Sequence, residues 1–348
     1  MTRIASRISG LLTPFIGRVP GFSGPSEVML RGGPAPLVAV DNLAALRARP
    51  FLQPDWLPLA VTVHDKRYRE IRKAHRYFGE VIAEVTGAPP LRMLCHDDDI
   101  VAYVYLFFGL DSYESLSVRL FAAFAKEAGG VLDIGAYTGL FGMVAAAANP
   151  AAEVIAFEPM AHIVDRARLN LAMNRIANMR VEQKAISGRA GVQSLTLYGA
   201  SASTTGASLA SKPRSDIGSI EVEVTRIDDV AAGMKAPVRL IKLDTEGDEP
   251  AAMRGGAETF GRDGPALLAE VLTDDAVREQ GGIMAGYGYR GWYVNERNRR
   301  LVKIDDAFTL KGRGYGNVIY LKGEAEERRA QTIASEFRAQ PFQAGKGR

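Results

Sequence analysis

The residues best placed to do chemistry are acids at the ends of apolar runs. Asp133 lies in Val131-Leu-Asp-Ile-Gly-Ala-Tyr-Thr-Gly-Leu-Phe141, Glu158 in Val154-Ile-Ala-Phe-Glu-Pro159, and Asp244 in Leu240-Ile-Lys-Leu-Asp-Thr-Glu-Gly-Asp-Glu249. A buried carboxylate is expensive without a partner, so each position calls for one. The first run reads as a buried strand, a turn with two glycines and a helix start. Gly135 is required where the backbone turns sharply and a ligand must approach with no Cβ in the way. Glu158 ends the next strand about 20 residues later, where a carboxylate can accept both hydroxyl protons of a ribose. Asp244 and Glu246 are delivered to the same sheet edge, and Gly247 permits a tight turn before Pro250, a favoured first helical position. Asp248 and Glu249 fit a simpler role, satisfying the free amides of that helix start. Glu270, in Ala266-Leu-Leu-Ala-Glu-Val271, ends a further apolar run.

A strand–glycine–helix–strand–acid pattern suits a nicotinamide dinucleotide or S-adenosylmethionine. The glycines here read G-x-x-x-G (Gly135 and Gly139) rather than G-x-G-x-x-G, so the close pyrophosphate approach is missing. Asp133 would repel a pyrophosphate and attract an amino group. Both features favour the methyl donor.

These residues need a sheet to hold them. From Gly130 onward strand-like and helical runs alternate: Gly130–Ile134, Leu140–Ala148, Glu153–Phe157, Ala161–Ile176, Arg180–Ala185, Val238–Leu243, a short helix over Pro250–Phe260, and Ala266–Val271. Such alternation predicts an α/β fold, a mostly parallel sheet with helices on both faces. Gly291–Asn295 and Asn317–Leu321 would close it. Val192–Tyr198 and Ser219–Thr225 read as a β-hairpin-like excursion. Their polar connection, Gly199 to Gly218, either closes over an acceptor or is a surface insertion.

Ahead of this domain (129–323) the chain divides into a Pro-rich irregular arm (1–64) and a helical accessory region (65–128); a charged tail (324–348) follows, with one helix. In the accessory region a helix is expected over Asp65–Val85, from the stripe Ile71, Ala74, Phe78, Val81, Ile82 and Val85. A strand is expected over Ile100–Phe108, rich in Val, Tyr and Phe, and a helix over Ser112–Lys126. His96-Asp-Asp-Asp99 reads as a solvated turn, since consecutive residues rarely aim at one ion, and no metal site is expected. The basic stripe from Lys66 to Arg76 is a solvated face or a contact for an anionic acceptor. His162 reads as a solvated helix-start residue before a catalytic one.

The 348 residues carry a net charge of only +3, so no global field draws in nucleic acid or an acidic membrane. One cysteine, Cys95, excludes an internal disulfide and a cysteine-pair zinc site, and fits a reducing, cytoplasmic setting. No apolar run reaches the roughly 20 residues of a membrane helix. Ile4, Ile8, Leu11 and Leu12 with Arg3, Arg7 and Arg18 form either an ordinary N-terminal helix or a surface-seeking one. Oligomeric state stays open.

Taken together, Asp133-Ile-Gly-Ala-Tyr-Thr-Gly139, Ala156-Phe-Glu-Pro159, Leu169-Asn170 with Asn174, Ala185-Ile-Ser187 and Lys242-Leu-Asp-Thr-Glu-Gly-Asp-Glu249 resemble the FkbM methyltransferases. Arg254-Gly-Gly256, Leu268-Ala-Glu270 and Asn317-Val-Ile-Tyr320 extend the resemblance, in order, over roughly Asp111 to Gly323. The family more often has Asn at the position of Tyr137, and Val-Glu-Gly-Ala-Glu where this chain has Thr245-Glu-Gly-Asp-Glu249. The resemblance implies a Rossmann-like class I methyltransferase that transfers a methyl from S-adenosylmethionine to a hydroxyl of a sugar, polyketide or similar small metabolite. It implies that Asp133 and the backbone of Gly135, Ala136, Tyr137, Thr138 and Gly139 hold the methionine part. Glu158 with Pro159 would hold the ribose, and Ala185 would lie near the adenine. Asp244 and Glu246 would face the reacting end, with Asp244, Glu246 and Glu270 the candidates to take the acceptor's proton. A non-catalytic scaffold of the same fold and a nicotinamide oxidoreductase are the alternatives.

Overall fold

The computed structural model describes residues 78–96, 99–198, 207–208, 216–311 and 315–340. The chain opens with β1 (Phe78–Ala83), β2 (Leu91–His96), α1 (Ile100–Phe108) and α2 (Ser115–Ala125). It continues through β3 (Gly130–Ile134), α3 (Leu140–Ala148), β4 (Glu153–Phe157), α4 (Ala161–Asn174) and β5 (Met179–Glu182). Then come β6 (Ala185–Ile186), β7 (Gly191–Tyr198), β8 (Ala207–Ser208), β9 (Asp216–Thr225), α5 (Ile227–Ala232) and β10 (Val238–Leu243). The last elements are α6 (Glu249–Arg254), α7 (Ala257–Arg262), β11 (Ala266–Val271), α8 (Asp274–Gly286), β12 (Arg290–Asn295), β13 (Arg300–Lys303), β14 (Gly316–Leu321) and α9 (Glu324–Ala339).

The main sheet has eight strands in the order β13-β12-β14-β11-β10-β3-β4-β5. The five from β11 to β5 are parallel, and β14 inserts antiparallel between β11 and β12. The mostly parallel sheet is the one that the alternation of elements predicts, and its Rossmann-like class I methyltransferase form with an antiparallel last strand is what the resemblance implies. Every residue of β3 is buried, which a strand covered on both faces requires.

Side chains alternate between two cores. Leu132, Ile134, Ile155, Phe157, Ile241, Leu243, Leu267 and Ala269 face α5 through α8, where Ile227, Met253, Phe260 and Met284 meet them. Val131, Val154, Leu240, Leu268 and Ile319 face the other way, towards Phe121 of α2, Val144 of α3, Val164 of α4 and Phe337 of α9. Because strand side chains alternate with period two, Asp133, Lys242, Glu270 and Asn317 fall on this second face. Four polar residues thus share one side of the sheet near its C-terminal edge.

The accessory segment belongs to that same core: Val81, Met93, Tyr103 and Leu116 are continuous with Val131 and Val144. Two expectations in it are corrected. Phe78–Ala83 is a strand, paired antiparallel with Leu91–His96, not the end of a helix. Val81, Ala83 and Val85 are buried while Glu84 is exposed, a period-two pattern that the helical stripe had masked. Ile100–Phe108 is a helix, not a strand. All residues from Val101 to Leu106 are buried, so periodicity carried no signal. The evidence for a helix lay in its ends: Asp99 caps it, accepting from Ala102 N (3.0 Å), and Gly109 terminates it. The expected Pro250–Phe260 helix is two short ones, α6 and α7, and β13 was not anticipated. The hairpin excursion is real: β7 and β9 pair antiparallel and, with β6 and β8, form a separate four-stranded sheet. The Pro-rich arm, the Lys66–Arg76 stripe and most of Gly199–Gly218 lie outside the described residues. No helix among the described residues is long and apolar enough to cross a membrane.

Asn170 ties the hairpin to the glycine turn. Fully buried in α4, it accepts from Leu94 N (2.9 Å) and donates to Thr138 O (3.0 Å). Replacing it with Ala orphans two buried backbone groups at about 1–3 kcal/mol each. Asn170→Ala should therefore lower unfolding free energy by about 2–5 kcal/mol in urea titration; a loss below about 0.5 kcal/mol, the range of surface changes, would mean that this link does not hold the segment.

Candidate active site

The ends of β3, β4 and β10 are locked together through the backbone. Gly135 N and Ala136 N donate to Phe157 O (2.9 and 3.0 Å), and Asp244 N donates to Ile134 O (2.9 Å). Gly135 has φ +74°, and a Cβ there would overlap the carbonyl oxygen of Asp244. Any other residue would push the two strand ends apart. Sequence reasoning assigned this glycine to ligand approach; its first duty is strand approach.

Around that lock sits a cradle. Asp133 is buried and its Oδ2 accepts from Gly142 N of α3 (2.6 Å). Burial pushes its pKa up to about 6, against the Gly142 bond and the nearby Lys242. Glu158 accepts from Tyr137 N through Oε2 (3.2 Å) and from Met160 N through Oε1 (2.9 Å). Burial lifts it to about 7. Each carboxylate oxygen keeps a second lone pair, so both can still accept from a diol. In the same turn the hydroxyl of Thr138 is buried without a hydrogen-bond partner among the described residues. A buried, unsatisfied donor at a glycine turn is what a ligand with polar groups would complete. Pro159 follows Glu158, half-buried, and His162 sits half-buried in the first turn of α4. Ala185 lies in the small sheet's core with Leu195, Val222 and Val224, and Met160, packed against that core, links it to the Glu158 turn.

Next to the cradle the acids of β10 and β11 converge. One oxygen each of Asp244, Glu246 and Glu270 lie within 4.8 Å of one another. At an effective dielectric of about 20, two charges that close repel by roughly 3 kcal/mol. Burial first, then repulsion from Asp244 and Glu249, raises Glu246 to about 8. Burial, with Asp244 and Glu246, drives Glu270 well above the usual carboxylate range. Glu249 plays another part: its Oε1 accepts from Thr245 N (2.7 Å), Thr245 Oγ1 (3.0 Å) and Gly247 N (3.1 Å), pinning the 245–247 turn. Asp248 is bonded to Ser187 instead of capping α6.

One cation stands against these acids. Lys242 is almost fully buried, donates to Asp244 Oδ2 (2.9 Å) and Asn317 Oδ1 (3.2 Å), and lies over the Phe141 ring. Burial opposes its charge, but Asp244 and Glu114 outweigh it and raise its pKa. Asn317 in turn donates to Glu114 Oε2 (2.8 Å) and Ser117 Oγ (3.1 Å). Glu296 accepts from Ser117 N and Oγ (3.0 and 2.6 Å) and from Leu116 N (2.6 Å), fixing the start of α2. Tyr113 bonds Glu114 and is close enough to Asp244 and Glu270 to be influenced by both, as is Tyr315. Sequence reasoning missed Lys242, Glu114, Tyr113 and Asn317. For Lys242 a signal existed: a lysine inside Leu240-Ile-Lys-Leu, two residues before an acid, cannot be solvated if the strand is buried.

The Methyltransferase FkbM domain profile matches residues 133–313, which contain Asp133, the glycine turn, Glu158, Lys242, Asp244, Glu246 and Glu270 but not Tyr113, Glu114, Tyr315 or Asn317. The 31-O-demethyl-FK506 methyltransferase FkbM of Streptomyces tacrolimicus is 30% identical over 189 residues, 46% of this chain and 72% of that protein. Among solved structures, the methyltransferase FkbM of Methylobacillus flagellatus KT is similar at 14% identity and a TM-score of 0.35, over 56% of this chain and 43% of that one. Cofactor-bound Rv0187 from MTB is similar at 16% identity and a TM-score of 0.35, over 60% and 79% of the two chains. With a matching profile over more than half its length and the acids and glycines of that family gathered at one sheet edge, this chain is a member of the FkbM methyltransferase family.

Proposed function

We propose that this methyltransferase uses S-adenosylmethionine and methylates a hydroxyl of a carbohydrate, polyketide or related small metabolite. The observation that carries the reading is the cradle of Asp133, the Gly135–Gly139 turn and Glu158, set beside the acids of β10 and β11 on adjoining strand ends. The residues fit the donor by chemistry: Asp133 suits its ammonium, the backbone from Gly135 to Gly139 its methionine part, and Glu158 its ribose. The unsatisfied Thr138 hydroxyl marks the same turn. Bound there, the donor supplies a methyl group on a positively charged sulfur.

The remaining work falls to the acids. An alcohol holds its proton far above neutral pH, so a carboxylate must take it as the new bond forms. Asp244 is committed to Lys242. Glu246 makes no hydrogen bond to a described residue and ionises at about 8, close to the range in which a general base is effective. We assign it the proton and Asp244 the orientation of the acceptor, with Glu270 beside them. The acid-lined edge opposes phosphate-rich partners such as nucleic acid, which supports a small-molecule acceptor. A dinucleotide pyrophosphate would meet the Asp133 carboxylate, which disfavours an oxidoreductase.

Calorimetric titration with S-adenosylmethionine and, separately, NADH tests this: the first should bind and the second should not. Glu158→Ala should weaken donor binding at least tenfold with the circular dichroism spectrum unchanged, since the lost hydrogen bonds to a charged group are worth about 1.5–3 kcal/mol. The pH dependence has a definite sign. Glu158 is raised to about 7, so it is protonated below and charged above that value. If the charged form binds, donor affinity should rise about tenfold from about pH 6 to pH 8, and Glu158→Gln should flatten the rise. Asp244→Asn should lower turnover on a competent acceptor, whereas a scaffold protein would bind donor and never turn over.

A further inference from the structure

Acid-rich helix starts are ordinarily explained by capping, and Glu249 is explained in that way. Asp244, Glu246 and Glu270 are not. Glu246 makes no hydrogen bond among the described residues, and Lys242 engages only Oδ2 of Asp244. Glu270 Oε2 has essentially no solvent contact and no hydrogen-bond partner among the described residues. A carboxyl oxygen sealed from water and lacking a hydrogen-bond partner is rare in folded proteins. This one belongs to a side chain whose carboxylate converges, within 4.8 Å, on two others. Glu270 lies on β11, paired in parallel with β10, and Asp244 directly follows β10, so strand pairing sets these two side by side while Glu246 joins them from the turn after β10.

We propose that Asp244, Glu246 and Glu270 hold a divalent cation of the Mg2+ or Mn2+ type. The donor set is oxygen only, with no imidazole or thiolate, which selects a hard ion. Such an ion keeps several coordination positions for water and exchangeable oxygens, and an acceptor hydroxyl is the oxygen this site has to bind. On the cation that hydroxyl becomes more acidic. Its proton passes to the Glu246 carboxylate. Its lone pair forms the new carbon–oxygen bond, and the carbon–sulfur bond breaks with its pair left on sulfur. The catalytic part of this proposal rests on the methyl-transfer reading; the binding of the ion does not.

The test uses the full chain freed of metal with a chelator and titrated with Mn2+, followed by electron paramagnetic resonance, with a donor titration run beside it. One Mn2+ should bind per chain, displaced by Mg2+. Glu246→Gln and Glu270→Gln should each weaken it at least tenfold, and Asp275→Asn on the exposed face of α8 should leave it unchanged. Both site variants keep side-chain volume, and their melting curves report folding separately. Donor binding with no Mn2+ bound at about 1 mM, a weak affinity for such sites, would overturn the cation site and leave methyl transfer standing. Mn2+ bound in the wild-type chain but unaffected by both variants would overturn the assignment to these residues. Mn2+ binding lost in the variants, with no donor bound by the wild type, would support the site and remove its catalytic role.

Discussion

Residue 135 passes the carbonyl of Asp244 so closely that no side chain fits between them. That contact, with the amide of Asp244 bonded to Ile134 O and the amides of Gly135 and Ala136 bonded to Phe157 O, sews three strand ends into one continuous edge. The cradle on β3 and β4 and the acids on β10 are therefore spaced by backbone, which is stiff, instead of by long side chains, which are not. Positioning of this kind is where a group-transfer enzyme gains most, because reacting atoms must be held in line before any bond changes.

The second constraint is charge. The face of the sheet that carries Val131 and Leu240 also carries Asp133, Lys242, Glu270 and Asn317, and it is closed by α2, whose start is fixed by Glu296. Burying so many carboxylates beside one ammonium is costly, and the raised pKa values of Asp133, Glu246 and Glu270 are that cost expressed as proton affinity. Lys242 offsets part of it by bonding Asp244 and, through Asn317, reaching Glu114. An arrangement this poorly balanced for stability is retained where it serves binding or catalysis.

Much of this edge was legible because strand-end acids and turn glycines stand out against apolar runs. Asp133, Gly135, Glu158 and Asp244 are each anomalous locally, and their order along the chain specifies one sheet edge. What was not legible had no local anomaly. Ile100–Phe108 is apolar on every side, so only Asp99 and Gly109 distinguished a helix from a strand. Phe78–Ala83 combined an alternation with a helical stripe, and pairing with Leu91–His96 decided it. Tyr113 and Glu114 reach the site through a tertiary contact with a strand some 200 residues away in sequence, about which spacing says nothing. Ala185 was assigned by resemblance and is primarily a core residue of the small sheet.

Backbone strain also enters this edge. Six described non-glycine residues adopt left-handed conformations; Glu114, Tyr137 and Glu246 (φ 40°, 49° and 56°) belong to the site, and Asp111, Arg175 and Arg299 lie outside it. This conformation costs about 1–2 kcal/mol for a residue that carries a Cβ, and least for Asn and Asp. The turn thus accounts for the Asn that relatives more often place where this chain has Tyr137: the backbone asks for a residue at home with positive φ. Tyr137 meets the requirement at a higher conformational cost, and its amide still donates to Glu158. Glu246 is held in the same way, by a turn that Glu249 pins from below, so its carboxylate is presented to Asp244 and Glu270 by the backbone itself. Strain persists only where surrounding structure overrides it, and here the overriding structure is the network of hydrogen bonds that builds the edge.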